Sequence, residues 1–83
     1  MKILLISKNN YNKYLKNTIV TKCTKYEDIK ESLNKEYDAI IIDTTLNVNV
    51  LELLNNYPHP EYLNKTIIID NNYYCYNLLN SPF

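Results

Sequence analysis

Three short runs of consecutive apolar residues constrain the fold of this 83-residue chain more than any other feature. They lie at residues 3–6, 39–42 and 67–69, and Thr66 begins the strand predicted over residues 66–69. A continuous apolar run of this length is typical of a strand covered on both faces, whereas a half-exposed strand alternates apolar and polar side chains. Such strands occur in parallel sheets whose connections are helical. The runs therefore predict an α/β domain.

The segments between these runs predict an edge strand and four helices. Residues 18–23 alternate and are rich in β-branched side chains, which favours a strand with one wetter face. Helical patterns occupy the other connections, at residues 11–16, 24–37, 50–57 and 73–80. The order βαβαβαβα predicts one domain over residues 1–83, with three layers: about four parallel strands and helices on both faces of the sheet.

The segment 24–37 has the clearest helical pattern. Thr24 stands three residues before Glu27, which is the spacing of a capping box. Apolar side chains then recur on one stripe, at Tyr26, Ile29, Leu33 and Tyr37. In the next helix, Asn47 or Asn49 is the predicted cap.

The sequence contains no glycine. Phosphate-binding loops and dinucleotide-binding fingerprints need residues without a Cβ beside the phosphates, so both classes of site are excluded. Asn9 and Asn10 are the residues expected to cap a helix or to adopt the left-handed backbone that glycine would otherwise supply.

Charge is distributed unevenly along a chain whose net charge is zero. Residues 1–26 carry six lysines and no acid, and the remainder carries three lysines and nine acids. This asymmetry raises the hypothesis of a nucleic-acid partner, bound by exposed cations and stacked aromatic rings. The contacts would come from Lys8, Lys13, Lys16, Lys22, Lys25, Tyr11 and Tyr14. The competing interpretation is that the two parts neutralise each other within one domain, which the absence of arginine favours.

Composition disfavours several partners and cofactors. No apolar run approaches the length of a membrane span, so no membrane partner is expected. The two cysteines lie 52 residues apart and the chain has one histidine, which gives no recognisable metal-ligand spacing. We expect free thiols in a cytoplasmic protein without a cofactor.

Residues 18–46 resemble the central part of a response-regulator receiver domain, which has a flavodoxin-like fold. In that family an amphipathic helix leads to a Tyr-Asp pair, four apolar residues and the phosphoaccepting aspartate. Tyr37 and Asp38 precede residues 39–42, and Asp43 stands at the phosphoacceptor position. Residues 2–6 and 65–70 resemble the first and fourth strands. The resemblance implies a minimal receiver-like domain.

The sequence departs from the receiver pattern where that family performs its chemistry. Ser7, Lys8 and Asn9 replace the two acids that hold Mg²⁺, and Asp70 stands where a Ser or Thr normally ends the fourth strand. The family's fifth strand, final helix and lysine are not found. These departures imply a domain that is not phosphorylated, with a magnesium-dependent phosphoacceptor at Asp43 as an alternative.

Three interpretations of the strand-end aspartates remain open. The Lys8 ammonium could neutralise Asp43 and Asp70, replacing the metal. The two carboxylates could instead bind a divalent cation together with Asn9 and Thr44. In the simplest interpretation each Asp ends a strand and caps the following turn.

A tyrosine-rich segment near the C-terminus is the candidate interaction surface. Tyr73, Tyr74 and Tyr76 combine large contact area with polar tips, although the segment could equally fold back over the last strand. No nucleophile–base pair is apparent, so no enzyme activity is expected. The favoured function is a non-catalytic regulatory module that binds a protein partner or forms a homodimer.

Overall fold

The described residues form a small α/β domain around a five-stranded, mostly parallel sheet. The computed structural model describes residues 1–11, 13, 15–46, 49–55, 57, 61–72 and 74–77, and at residues 50, 51 and 54 it describes the backbone only. Tyr14, Tyr73 and the predicted helical residues 78–80 lie outside this set, as does Asn47.

The sheet has the strand order β2-β1-β3-β4-β5. Its strands are β1 (Lys2–Ile6), β2 (Ile19–Cys23), β3 (Ala39–Asp43), β4 (Thr66–Ile69) and β5 (Cys75–Asn77). The first four are parallel, and the three apolar runs form the three inner strands, as predicted. The alternating segment forms β2 at one edge, which confirms the expected edge strand.

The fifth strand corrects two expectations. Residues 75–77 were expected in a helix and form β5, which pairs antiparallel with β4 in the register Ile69↔Cys75. A fifth strand is therefore present, although it runs opposite to the other four. The Asp70 side chain turns the chain back because its Oδ1 accepts bonds from the N–H groups of Asn72 (2.8 Å) and Tyr74 (3.0 Å). Tyrosines also favour strands over helices.

The described residues contain three short helices: α1 (Tyr26–Ser32), α2 (Val50–Asn55) and α3 (Tyr62–Lys65). The predicted capping box at Thr24 is wrong, because Lys25 occupies the N-cap and makes no side-chain cap bond. The predicted cap at Asn49 is confirmed, since its Oδ1 accepts from the Glu52 N–H at 3.1 Å. None of the helices among the described residues is long and apolar enough to cross a membrane.

The predicted helix over residues 11–16 is replaced by a turn in the residues that are described. The Leu15 N–H donates to the Tyr11 carbonyl at 3.1 Å. Left-handed backbone occurs at Tyr11 (φ 50°) and Asn17 (φ 61°), and not at Asn9 or Asn10 as expected. For a residue as bulky as tyrosine this conformation is strained, so other contacts must hold it.

One apolar cluster fills the space between the helices and one face of the sheet. It joins Leu4, Ile6, Ile40, Ile42 and Ile68 of the strands to Ile29, Leu33, Leu53 and Tyr62. Because side chains alternate along a strand, Ile3, Leu5 and Asp43 lie on the opposite face. The described helices all contribute to the first face, so the α/β sheet is confirmed whereas the predicted three layers are not.

The cluster gives a test of the α1 register. Leu33 follows α1 and is 2% exposed. We expect Leu33→Ala to lower the free energy of unfolding by about 2–5 kcal/mol, since it leaves a cavity in the core. Urea unfolding measures this loss, with Asn34→Ala on the neighbouring exposed residue as the control, expected within about 0.5 kcal/mol of wild type. A Leu33→Ala loss as small as the control's would contradict the packing.

Candidate functional site

A buried carboxylate lies at the carboxyl-terminal edge of the sheet. Asp43 is the last residue of β3, and Ser7 directly follows β1, the neighbouring strand. Both residues are fully buried, at 0% exposure. In open parallel sheets this edge is the usual position of a ligand site, so the surroundings of Asp43 decide what the domain can do there.

The loop after β1 satisfies one oxygen of Asp43. Asp43 Oδ2 accepts hydrogen bonds from Ser7 Oγ (2.8 Å), Tyr11 Oη (2.6 Å) and Asn9 Nδ2 (3.4 Å). The Asn9 N–H also donates to Ser7 Oγ at 2.9 Å, which fixes the hydroxyl that points at the carboxylate. The β1–β2 connection therefore folds back onto β3 through its polar side chains.

The turn after β3 satisfies the other oxygen. Asp43 Oδ1 accepts from the Thr45 N–H at 3.0 Å and from Thr45 Oγ1 at 2.6 Å. An aspartate that binds the N–H two residues ahead is the arrangement of an Asx turn. Both carboxylate oxygens are thus occupied by neutral donors.

The hydrogen bonds outweigh burial in setting the ionisation of Asp43. Burial alone would raise the pKa of this carboxyl, but the donors Thr45, Tyr11 and Ser7 favour the charged form and lower its pKa below the ordinary 3.8. Burial, and the hydroxyl's bond to Asp43, raise the pKa of Tyr11 above its ordinary value. The pair is therefore an ionised carboxylate beside a neutral phenol at neutral pH.

The other residues expected at this site do not contact the carboxylate. Lys8 is exposed and forms no ion pair with Asp43 or Asp70 in the part of the chain that the structure describes. Thr44 donates through Oγ1 to the Ile69 carbonyl at 2.7 Å, which ties the end of β3 to β4. Asp70 caps the β4–β5 turn. Both aspartates therefore cap turns, as in the simplest of the three interpretations.

This arrangement leaves little room for metal or phosphoryl chemistry at Asp43. A carboxylate that acts as a nucleophile or a metal ligand must expose at least one oxygen, and here each oxygen would first have to lose a donor. Within the described residues, no group of three or more His, Cys, Asp or Glu side chains could hold a metal ion. The geometry is that of a structural hydrogen-bond network.

The N-terminal lysines lie on the surface. Lys8, Lys13, Lys16, Lys22 and Lys25 are all exposed. Lys22 lies beside Lys8, because its Nζ donates to the Lys8 carbonyl and to Asn10 Oδ1, both at 2.8 Å. Tyr11, expected as a stacking ring, is half-buried and bound to Asp43. The structure thus places the Lys22 ammonium against the main chain at Lys8 and assigns Tyr11 a different contact.

Exposed apolar side chains are concentrated at the two edges of the sheet. Ile19 (66% exposed) and Val20 (37%) lie in the edge strand β2. Met1 (70%) precedes β1 and lies beside Ile19, whose N–H donates to the Met1 carbonyl. Tyr74 (65%) and Tyr76 (36%) lie at the β5 edge. These are the exposed large hydrophobic side chains among the described residues.

Two participants in the Asp43 network were missed by reasoning from sequence. Thr44 was expected at the site and Thr45 was not, although an Asp side chain commonly binds the backbone N–H two residues ahead. Tyr11 was assigned to nucleic acid, and no local pattern signals a hydroxyl that reaches a strand 32 residues away.

No protein family, curated protein or solved structure matches this chain.

Removing the Tyr11 hydroxyl tests the network. We expect Tyr11→Phe to lower the free energy of unfolding by about 1–2 kcal/mol, because a bond to a charged acceptor is lost. The same variant should raise the pKa of Asp43, measured from the carboxyl carbon shift during an NMR pH titration. Tyr74→Phe, on an exposed ring, is the matched control. An unchanged Asp43 titration in Tyr11→Phe would refute the contact.

The lowered pKa of Asp43 predicts a pH dependence of stability. Because the folded state binds this proton more weakly than the unfolded state does, the stabilisation is present above the ordinary pKa of 3.8 and is lost as pH falls through the folded-state pKa. Asp43→Asn should cost about 1–3 kcal/mol at pH 7. Urea unfolding at pH 7 and in the acid range should show this difference shrinking in acid. Asn71→Ser, on an exposed residue without a titrating side chain, is the control and should show no pH-dependent difference.

Proposed function

We propose that this domain is a non-catalytic module that binds a protein partner through the edges of its sheet. The observation that carries the proposal is the concentration of exposed apolar side chains at β2 and beside β5. Apolar side chains grouped on a surface are typical of protein-binding sites, whereas single scattered ones are not informative. An edge strand also presents unpaired backbone donors and acceptors, to which another strand can add.

The closed surroundings of Asp43 support a role without catalysis. The site where a parallel sheet normally binds its ligand is filled by the protein's own hydroxyl, amide and backbone groups. These neutral donors fix the loop after β1 and the turn after β3, but they leave no accessible nucleophile at Asp43. The alternative of a magnesium-dependent phosphoacceptor at Asp43 has less support for this reason.

The strand order supports a receiver-like origin for the fold. The order β2-β1-β3-β4 is that of the first four strands in flavodoxin-like sheets. We take the domain to be a minimal three-layer member of that class, with a regulatory role in the cytoplasm and a homodimer or a second protein as its bound state. The antiparallel β5 stands where the class has a parallel fifth strand.

Nucleic-acid binding is the second candidate function. It is favoured by the exposed lysines Lys8, Lys16, Lys22 and Lys25, none of which pairs with a carboxylate among the described residues. Unneutralised lysines attract phosphates, and such binding weakens steeply with salt. The proposal is weaker than protein binding because Tyr11 is bound to Asp43 and does not offer a free ring face.

Amide NMR spectra of the isotope-labelled chain test the chemistry. Addition of Mg²⁺ with beryllofluoride, an analogue of a phosphoryl group, should leave the amides of Asn9, Asp43, Thr44 and Asp70 unshifted. Clustered shifts at these residues would instead identify a phosphoacceptor. A single-stranded oligonucleotide added at low salt is the second addition, and salt-sensitive shifts at the N-terminal lysines would favour the second candidate function.

Binding at the edges is tested by affinity capture with matched variants. The wild-type chain on beads should retain a protein from cell extract, or further copies of itself, and Ile19→Ser or Tyr74→Ser should abolish that retention. Asn71→Ser, an exposed change in the β4–β5 turn, is the control and should retain as wild type does. Retention that survives both edge variants would overturn an edge-based function.

A further inference from the structure

We infer that β2 is a self-association edge, at which a second copy of this chain adds its own β2 in antiparallel orientation. The inference rests on the proposed protein-binding function and specifies its partner. Three properties of β2 carry it: the direction of its backbone groups, the position of the Lys22 ammonium, and a residue pattern that pairs well with itself.

The backbone of β2 has one bonded and one open side. The Ile19 N–H donates to the Met1 carbonyl at 2.9 Å, and the Cys23 carbonyl accepts from the Ser7 N–H at 3.2 Å. Successive residues of a strand alternate in the side to which their N–H and C=O groups point. Ile19, Thr21 and Cys23 therefore face β1, and Val20 and Lys22 direct their backbone groups away from it. Among the described residues, β2 pairs with β1 alone.

The lysine on this strand does not obstruct the open side. Lysines commonly protect edge strands because an added strand would displace the hydrated ammonium. Here Lys22 Nζ donates to the Lys8 carbonyl and to Asn10 Oδ1 at 2.8 Å each, within the loop after β1. Because the Lys22 ammonium is bound within its own chain, it does not block the addition of another strand at this edge.

The sequence of β2 is complementary to itself in one register. With a two-fold axis at Thr21, Val20 of each copy lies opposite Lys22 of the other, and these pairs exchange the outward N–H···O bonds. Thr21 then faces Thr21 of the second copy, a favourable cross-strand pair. An axis at Lys22 would set two ammonium groups opposite each other, and an axis at Val20 would need Thr18, which precedes β2.

This register also explains the apolar side chains at the edge. Val20, at 37% exposure, would lie against the aliphatic stem of Lys22 of the second copy. Ile19, at 66% exposure, would lie beside the backbone of its Cys23, whose side chain is buried in its own core. A second copy would therefore cover Val20 and reduce the exposure of Ile19. The result is a continuous sheet of two domains.

Charged substitutions at Thr21 test the register, because only a two-fold axis at this residue places the two copies of Thr21 face to face. Sedimentation velocity between about 10 μM and about 1 mM should show the wild type self-associating. Thr21→Lys and Thr21→Glu should each weaken association about tenfold or more, since like charges meet. An equimolar mixture should form a heterodimer tighter than either homodimer, detected by native mass spectrometry. Reducing conditions are needed because Cys75 is exposed.

Asn34→Lys and Asn34→Glu provide the matched controls. They place the same charges on an exposed residue outside β2, and they should associate as the wild type does. Val20→Pro is a second blocking variant: it removes an outward N–H and no bond to β1, so its amide spectrum should remain folded while its dimer is lost.

Two results would overturn the inference, and they differ in what they mean for the proposed function. A wild type that stays monomeric throughout the concentration range would exclude a second copy as the partner. Edge binding would still be supported if the chain captured a different protein and Ile19→Ser abolished that capture. A dimer insensitive to every Thr21 and Val20 change would mean that copies meet through another surface. If edge-dependent capture also failed, the proposed function itself would be wrong.

Discussion

The buried Asp43 carboxylate is the interaction on which the rest of this structure depends. An ionised group at 0% exposure is costly unless each oxygen is bonded, and five donor groups from two connections meet that requirement. The carboxylate thereby sets the path of the loop after β1 and of the turn after β3. The same bonds that compensate its burial occupy both of its oxygens.

Because the chain contains no glycine, its left-handed backbone positions are occupied by residues with a Cβ, which strains the backbone near this network. Left-handed backbone falls on Tyr11 and Asn17, and at Tyr11 the strain is of about 1–2 kcal/mol. The bond from Tyr11 Oη to Asp43 is the contact that can offset it, since bonds to charged acceptors are stronger than neutral ones. The strained backbone and the buried charge stabilise each other.

The inner strands could be predicted from the sequence because the pattern that produces them, a short apolar run, is local. Consecutive isoleucines and leucines need cover on both faces whatever surrounds them, and β1, β3 and β4 lie where these runs lie. The hairpin to β5 depends instead on a bond from the Tyr74 N–H to the Asp70 side chain. This bond competes with helix formation by the same segment, which the sequence pattern favoured. The strand-end position of Asp43 could be inferred, but its donors could not, because Ser7 and Tyr11 reach it only through the tertiary fold.

The fully bonded Asp43 carboxylate and the exposed edge strands support the same proposed function. Parallel α/β sheets usually place their chemistry at the carboxyl ends of the inner strands, and here that position is saturated by internal bonds. Among the described residues, the edge strands are β2 and β5, and the exposed large apolar side chains lie in or beside them. Lys22 links the two regions, because the loop whose side chains close the centre also holds the ammonium that would otherwise guard the edge. If a second copy pairs at β2 as proposed, loosening the Asp43 network would release Lys22 and weaken that pairing.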